Sequence, residues 1–507
     1  MMSVFEKGTL PPCPTPFNMA AYVLGKAGDH PDKLALRVLA GDGTAHDWTY
    51  AQLEGAVLGT ASGLLDLGAT PGDKILMRLG NTVDFPLAYL GALAAGLVPV
   101  PTSAALTTHE IAPIIKELDP KLVIRAPDVA CPDIENCVDV DLLRTFRDMP
   151  PAPYHLGDPN RLGYVIYTSG TSGRPRAVAH AHRAIWARQM MFDGWYGLRG
   201  NDRVLHAGAF NWTYTLGTGL MDPWTIGATA IIPAPETAAS DLPMLLERHE
   251  ATVFAAAPGV YRQLLKSDVR IDLSTLRHGL SAGEKLPNRV RQRWVDSTGC
   301  DIYEAYGMSE CSTFLSACPT APATNDSLGR PQPGRRVAIL DADGPVPLGV
   351  EGTIAVHKSD PGLMLGYLGD PDETASKMQG DWFLTGDQGL MHADDQITYL
   401  GRRDDMMNAG GYRVSPLEVE HVLTQVEGVQ SVGCVAVEVK QDTFVIAAYY
   451  TAASPLDPDV IKDHAAHSLA RYKQPRIYIQ IDVLPTGANN KIKRNALRDL
   501  FAQQTVT

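Results

Sequence analysis

The run Tyr167-Thr-Ser-Gly-Thr-Ser-Gly-Arg-Pro-Arg176 limits what this chain can fold into more than any other stretch. Two glycines and four hydroxyl residues follow directly on the apolar, strand-like run Leu162 to Ile166, and a second apolar strand comes next. Glycine lets backbone approach a ligand closely, the amide and hydroxyl hydrogens supply donors, and Arg174 or Arg176 adds charge. Such a loop suits a phosphate chain. Composition alone would equally describe a Ser/Gly linker, but linkers do not sit between two buried strands. The run lacks the Gly-Lys-Ser/Thr of a Walker A loop and is not G-x-G-x-x-G, so a phosphate loop of another kind is required.

The surrounding sequence reads as α/β layers over the first four hundred residues. Thr49-Tyr-Ala-Gln52 is a capping-box pattern, followed by Leu53, Val57, Leu58, Ala61, Leu64 and Leu65 at helical spacing, with Gly68 placed to end the helix. Pro71-Gly72 then turns the chain into a strand over Lys74 to Arg78. Further buried strands are predicted at 121–124, 162–167, 228–232 and 252–256. After about residue 405 the texture changes to helix (416–426), two strands (432–439 and 444–450) and helix (457–470), a compact α+β unit. The polar run Gly401-Arg-Arg-Asp-Asp405 is the linker candidate. The expected organisation is a large N-terminal domain of mixed sheets flanked by helices, residues 1–403, and a small mobile α+β C-terminal domain, residues 404–507.

A formal net charge of −13 disfavours a surface that gathers nucleic acid or anionic lipid, although a local cluster of amides and cations can still bind phosphate. Seven cysteines without a C-x-x-C pair indicate neither a disulfide framework nor a zinc site, and fit a reducing cytoplasm. The Pro-rich N-terminus does not read as a signal peptide, and no window supplies the roughly 20 apolar residues of a membrane span.

The loop 167–176, with Val178-Ala-His-Ala-His182, resembles the signature loop of the adenylate-forming superfamily of acyl- and aryl-CoA synthetases, luciferases and peptide-synthetase adenylation domains. Other segments resemble that family in order: Leu280-Ser-Ala-Gly-Glu284, Tyr303-Glu-Ala-Tyr-Gly-Met-Ser-Glu310, Ser327-Leu-Gly-Arg-Pro331, Trp382-Phe-Leu-Thr-Gly-Asp387, Gly401 to Asp405, Tyr472-Lys-Gln-Pro475 and Leu484 to Lys491. The resemblance implies an AMP-forming acid–CoA ligase that uses ATP, Mg²⁺ and coenzyme A. It assigns ATP contacts to Thr168, Ser169, Gly170, Thr171, Ser172, Gly173 and Arg176, to Ala282, Gly283 and Glu284, and to Glu304, Ala305 and Tyr306. Asp387 and Arg402 would hold the ribose. Lys491, Ser309 and Glu310 would be catalytic, Glu310 as the Mg²⁺ carboxylate, because two anions must be brought together and the developing charge neutralised. Asp404 would be the hinge, and Gly410 and Gly411 would let the pantetheine arm pass.

Two positions depart from the family pattern. Pro175-Arg176-Ala177 stands for Pro-Lys-Gly, keeping charge but forking differently, and Asn490 stands for the glycine before the catalytic lysine. The acyl pocket would be lined by Trp212, Tyr214, Ala257, Gly307 and Met308. Gly307 occupies the place where acetate-activating relatives have tryptophan, so a Trp there should block the pocket. The segments resemble those of benzoate-type and medium-chain ligases, which implies a small aromatic or short-to-medium-chain acid. Trp212 and Tyr214 can also be read as core residues. A carrier protein as the acyl acceptor, loaded in trans, is the second reading, although only 492–507 follows Lys491. A non-catalytic nucleotide-sensing relative is the third. A monomer or homodimer is expected, without nucleic-acid binding or membrane insertion.

Overall fold

Thr49 does start a helix, Tyr50–Asp66, and its capping box is complete: Gln52 N donates to Thr49 Oγ1 at 3.3 Å, and Thr49 N donates to Gln52 Oε1 at 2.9 Å. Gly68 follows in the left-handed region, φ +82°, which a residue with a Cβ adopts only at a cost. The computed structural model describes the chain except residues 42–43, 170–174, 267–272, 325–326, 403–404, 406, 410–411, 441–442, 470, 472, 488–490 and 506–507. The other sequence-predicted elements appear within a few residues of their expected bounds, as strands Lys74–Arg78, Leu122–Arg125, Leu162–Ser169, Thr229–Ile232 and Val253–Ala256.

Two compact units form. The larger comprises Phe5–Val337 and Val356–Phe383, and the smaller comprises Met1–Val4, Ala338–Ala355 and Leu384–Thr507.

The larger unit is built on a nine-stranded sheet. Six of its strands run parallel in the order Ile302–Met308, His278–Ala282, Val253–Ala256, Arg203–His206, Thr229–Ile232 and Leu34–Leu39. Most residues of these strands are buried, as expected of a parallel sheet covered on both faces. A four-stranded parallel sheet, Val98–Pro101, Lys74–Arg78, Leu122–Arg125 and Cys137–Asp139, packs in the same unit. A three-stranded antiparallel sheet joins Leu162–Ser169, Pro175–Ala181 and Gly366–Tyr367. Ligands of open parallel sheets gather beyond the carboxyl ends of the strands. The segments around Glu310, Gly283, Ala257 and Gly208 all lie there.

The smaller unit contains, from Leu384 onward, the hairpin of Trp382–Met391 with Ile397–Arg402, and a sheet in which Thr443–Ala452 pairs antiparallel with Val429–Lys440 and parallel with Ile477–Gln480. Helices Pro416–Leu423 and Pro458–Ser468 bury Val419, Leu423, Ile461 and Ala465 against one face, while Leu484 and Leu497 cover the other. The architecture is α/β with a smaller α+β part, as expected from the sequence. No helix among the described residues is long and apolar enough to cross a membrane.

Candidate active site

Leu162–Ser169 and Pro175–Ala181 pair with Thr168 opposite Arg176 and Ser169 opposite Pro175, and Gly170, Thr171, Ser172 and Gly173 lie outside the described residues. Arg176 Nη2 meets the Glu373 carboxylate at 2.6 Å, and its guanidinium lies 5.5 Å from the centre of the Tyr367 ring. The Tyr367 hydroxyl in turn donates to Glu310 Oε1 at 2.8 Å. Burial, and after it the Glu310 charge, raises the Tyr367 phenol well above its ordinary range, so it remains a donor.

Ser309 and Glu310 follow the strand Ile302–Met308, and their backbone is pinned from two sides. The His180 ring meets the Ser309 carbonyl at 2.7 Å, and Met364 N donates to the Glu310 carbonyl at 2.7 Å. One Glu310 carboxylate oxygen is engaged by Tyr367, and the other has no hydrogen-bond partner among the described residues. Mg²⁺ is commonly bound by one or two carboxylates together with substrate phosphates, and Glu310 fits that donor set. No group of three or more metal-ligating side chains occurs among the described residues.

The strand His278–Ala282 is followed by a tight turn. Ala282 pairs with Ala305 on the next strand, and Gly283 has φ +99° with open space where a Cβ would stand. Glu304 has a different position from its neighbours. Its buried carboxylate accepts from Leu286 N at 2.8 Å and from Arg291 Nη2 at 3.1 Å, so this side chain fixes the turn after Gly283. Tyr306 lies edge-on to Phe314 at 5.3 Å.

Among the proposed pocket residues, Tyr214 is buried and its hydroxyl donates to the Leu280 carbonyl at 3.1 Å, with its ring at 5.7 Å from Trp195 and 4.4 Å from His206. Trp212, Ala257 and Met308 are half-buried. Gly307 corrects one expectation: a Cβ there would lie 2.2 Å from the Ser312 carbonyl oxygen and 2.5 Å from Thr313 Cα. The ladder to Ser312–Ser316 shifts register between Tyr306 and Gly307, so glycine is needed for the hairpin backbone itself. A tryptophan at 307 would first distort this hairpin, and it is no clean test of pocket length.

In the smaller unit, Asp387 stands opposite Arg402 across the hairpin Trp382–Met391 and Ile397–Arg402, with Oδ1 3.4 Å from the arginine Nε. Asp387 is buried, Arg402 is exposed, and the Tyr399 hydroxyl approaches Asp387 Oδ1 at 3.5 Å. Lys491 is exposed; its carbonyl accepts from Gly487 N at 2.7 Å, and Lys493 N donates to the Pro485 carbonyl at 2.8 Å. Three residues on, Arg494 enters the interior and forms an ion pair with Glu420 that also bonds Cys434 through its amide and its carbonyl. This pair anchors the start of helix Arg494–Thr505 and with it the segment bearing Lys491. Asp404, Gly410 and Gly411 lie outside the described residues.

Sequence reasoning missed Tyr367, Glu373 and the Glu420–Arg494 pair. Tyr367 follows a glycine whose φ of +147° shapes a constrained turn, but in the sequence a lone Gly-Tyr is uninformative, and Glu373 carries no signal. The buried pair had none, since its partners are 74 residues apart.

The AMP-binding enzyme family matches residues 25–368, and the AMP-binding enzyme C-terminal domain matches residues 418–491. The chain belongs to this family of AMP-binding enzymes. Benzoate–CoA ligase of Thauera aromatica is 29% identical, over 98% of this chain and 99% of its own length. The mitochondrial acyl-coenzyme A synthetase ACSM3 of Homo sapiens is 28% identical, over 96% of this chain and 90% of its own. The crystal structure of the anthranilate CoA ligase AuaEII, in complex with anthranoyl-AMP, superposes with a TM-score of 0.89 at 25% identity, covering 98% of this chain and 99% of that one.

Proposed function

We propose that the chain is an AMP-forming acid–CoA ligase acting on a small aromatic or short-to-medium-chain carboxylic acid. One carboxylate oxygen of the acid attacks the α-phosphorus of ATP, pyrophosphate leaves, and the acyl-AMP anhydride remains. The thiol of coenzyme A then attacks the acyl carbon and AMP leaves. The observation that carries this reading is the arrangement at the root of the phosphate hairpin, where Tyr367 and two backbone contacts hold Glu310 with one carboxylate oxygen uncommitted among the described residues. Full-length similarity to acid–CoA ligases supports it.

In this reading Thr168, Ser169, the loop 170–173 and Arg176 bind phosphate; Arg176 exchanges Glu373 for the nucleotide. Gly283 leaves room for the adenine, with Ala282, Glu284 and Ala305–Tyr306 beside it, and Glu304 acts by holding the turn. Asp387 accepts from the ribose hydroxyls, with Arg402 beside the same sugar. Mg²⁺ at Glu310 would neutralise charge on the phosphate oxygens. Lys491 serves the reacting oxygens, a task suited to a long flexible cation that arrives after the substrates. Asp404, at the proposed boundary between residues 403 and 404, is the pivot for a rotation of the C-terminal domain between the two half-reactions, and Gly410-Gly411 admits the pantetheine arm. The seven unbonded cysteines suit a reducing cytoplasm.

The test is ATP–pyrophosphate exchange with labelled pyrophosphate over a panel of acids, with and without CoA. Acid-dependent exchange without CoA, and acyl-CoA with it, is the expected result. Exchange without any thioester would transfer the second step to another acceptor, such as a carrier protein. The absence of exchange with every acid overturns the reading.

A further inference from the structure

His206 ends the central parallel strand Arg203–His206, at the carboxyl end of the sheet where the chain turns toward Trp212 and Tyr214. Its ring is buried edge-on against Tyr214, and among the described residues neither ring nitrogen has a hydrogen-bond partner. Thr215, the next residue after Tyr214, is fully buried with its hydroxyl equally unpaired. The two side chains converge on Gly208. A Cβ at that glycine would lie 2.4 Å from Thr215 Oγ1 and 3.1 Å from His206 Nδ1, so the absent side chain is what lets both groups face the same place. They do not bond each other, yet a single oxygen or nitrogen atom between them could bond both. Their surroundings are apolar: Trp195, Val204, Val253, Ala255 and Leu280 form one cluster with Tyr214. Buried donors and acceptors in such a wall are costly unless something satisfies them.

Resting on the reading that the segment around Trp212 and Tyr214 borders the acyl group, we propose that the acid is a ring-substituted aromatic acid. Its neutral hydroxyl or amino substituent, remote from the carboxyl group, bonds to His206 and Thr215. Chemistry restricts the substituent. A neutral imidazole offers one donor and one acceptor, and a threonine hydroxyl offers both, so a group that itself donates and accepts is matched whichever ring nitrogen carries the proton. Burial pushes the His206 pKa down to about 3, which keeps the ring uncharged at neutral pH. A second carboxylate or an ammonium group would bring an unpaired charge into an apolar wall and is disfavoured. A methyl group of similar size would leave both side chains unpaired, which is the kind of difference on which sites built to hydrogen-bond a substrate discriminate most strongly.

The experiment measures kcat and KM in pyrophosphate exchange for benzoate, the three methylbenzoates, the three hydroxybenzoates, the three aminobenzoates, and the aliphatic acids butyrate and hexanoate. The wild-type chain is compared with Thr215→Val, which preserves shape, and with His206→Phe. The wild type is expected to prefer at least one hydroxy- or aminobenzoate over its methyl isostere by more than about tenfold in kcat/KM, and the hydroxy and amino arms identify which group is bound. Thr215→Val should reduce that preference to near unity, chiefly through KM of the substituted acid. Wild-type enzyme that uses benzoate or the methyl isosteres as well as the polar ones overturns the inference, and so does a preference that survives both substitutions. Activity confined to aliphatic acids overturns it while leaving the acid–CoA ligase reading intact. Exchange with no acid at all, aliphatic acids included, overturns both.

Discussion

Glu420→Gln is expected to destabilise the C-terminal part of the chain by about 3 kcal/mol. Glu420 and Arg494 are each only 9% exposed, and the carboxylate takes both arginine terminal nitrogens as well as Cys434 N. Breaking a buried pair by removing one charge costs roughly 3–5 kcal/mol, because the partner is left uncompensated. Arginine cannot escape by losing its proton. Two features put the expectation at the lower end of that range. The glutamine oxygen still accepts one bond, and Asp405 lies 3.7 Å from Arg494 Nε. Hydrogen exchange on the strands Val429–Lys440 and Thr443–Ala452 reads the local stability, and urea unfolding reads the global value. Because Arg494 follows Lys491 by three residues, acyl-AMP formation should fall as well. The double substitution Glu420→Gln with Arg494→Met removes the stranded charge and should be less damaging than Glu420→Gln alone. A single variant within about 0.5 kcal/mol of wild type, the usual spread for surface changes, would refute the argument; so would a double variant that costs the sum of the two singles.

Lys491→Ala should reduce acid-dependent pyrophosphate exchange by a factor on the order of 10²–10³, while thioester formation from pre-made acyl-AMP survives; equal loss in both half-reactions contradicts the assigned role. Tyr367→Phe removes the donor to Glu310, a charge-assisted bond worth about 1.5–3 kcal/mol when buried. Glu310 is half-exposed and water replaces part of it, so kcat/KM for MgATP should fall about tenfold with little change in Tm, and an unchanged Mg²⁺ dependence contradicts this. Acid should destabilise the larger unit. Burial depresses His180 and His278 to about 4 and His182 and His206 to about 3, from 6.5, so the unfolded chain binds more protons below 6.5 and stability falls as pH drops toward 4. Each site contributes up to about 1.4 kcal/mol per pH unit in that window, and a flat Tm profile between pH 7 and 4.5 would contradict the burial of neutral rings.

What the sequence disclosed, and what it hid, follows from the range of each interaction. The capping box at Thr49, the strands flanking the phosphate loop and the alternation of the C-terminal strands are local, and chain order alone reveals them. Asp387 and Arg402 were separate motifs in the sequence, and hairpin register brings them together. At Gly307 the missing side chain reads in the sequence as empty pocket space, whereas close backbone packing requires the glycine. The Arg176–Glu373 and Glu420–Arg494 pairs leave no trace in the sequence. These depend on which segments the fold brings side by side, and no spacing along the chain encodes that.

The most direct test of acid activation through an adenylate follows one oxygen atom. The acid is supplied with both carboxylate oxygens as ¹⁸O, together with MgATP and CoA, and AMP, pyrophosphate and acyl-CoA are analysed by mass spectrometry. Attack of the carboxylate on the α-phosphorus, followed by thiolysis at the acyl carbon, leaves one ¹⁸O in AMP and one in the thioester, with none in pyrophosphate. Label in phosphate with ADP as the co-product, or AMP without label, would contradict the account.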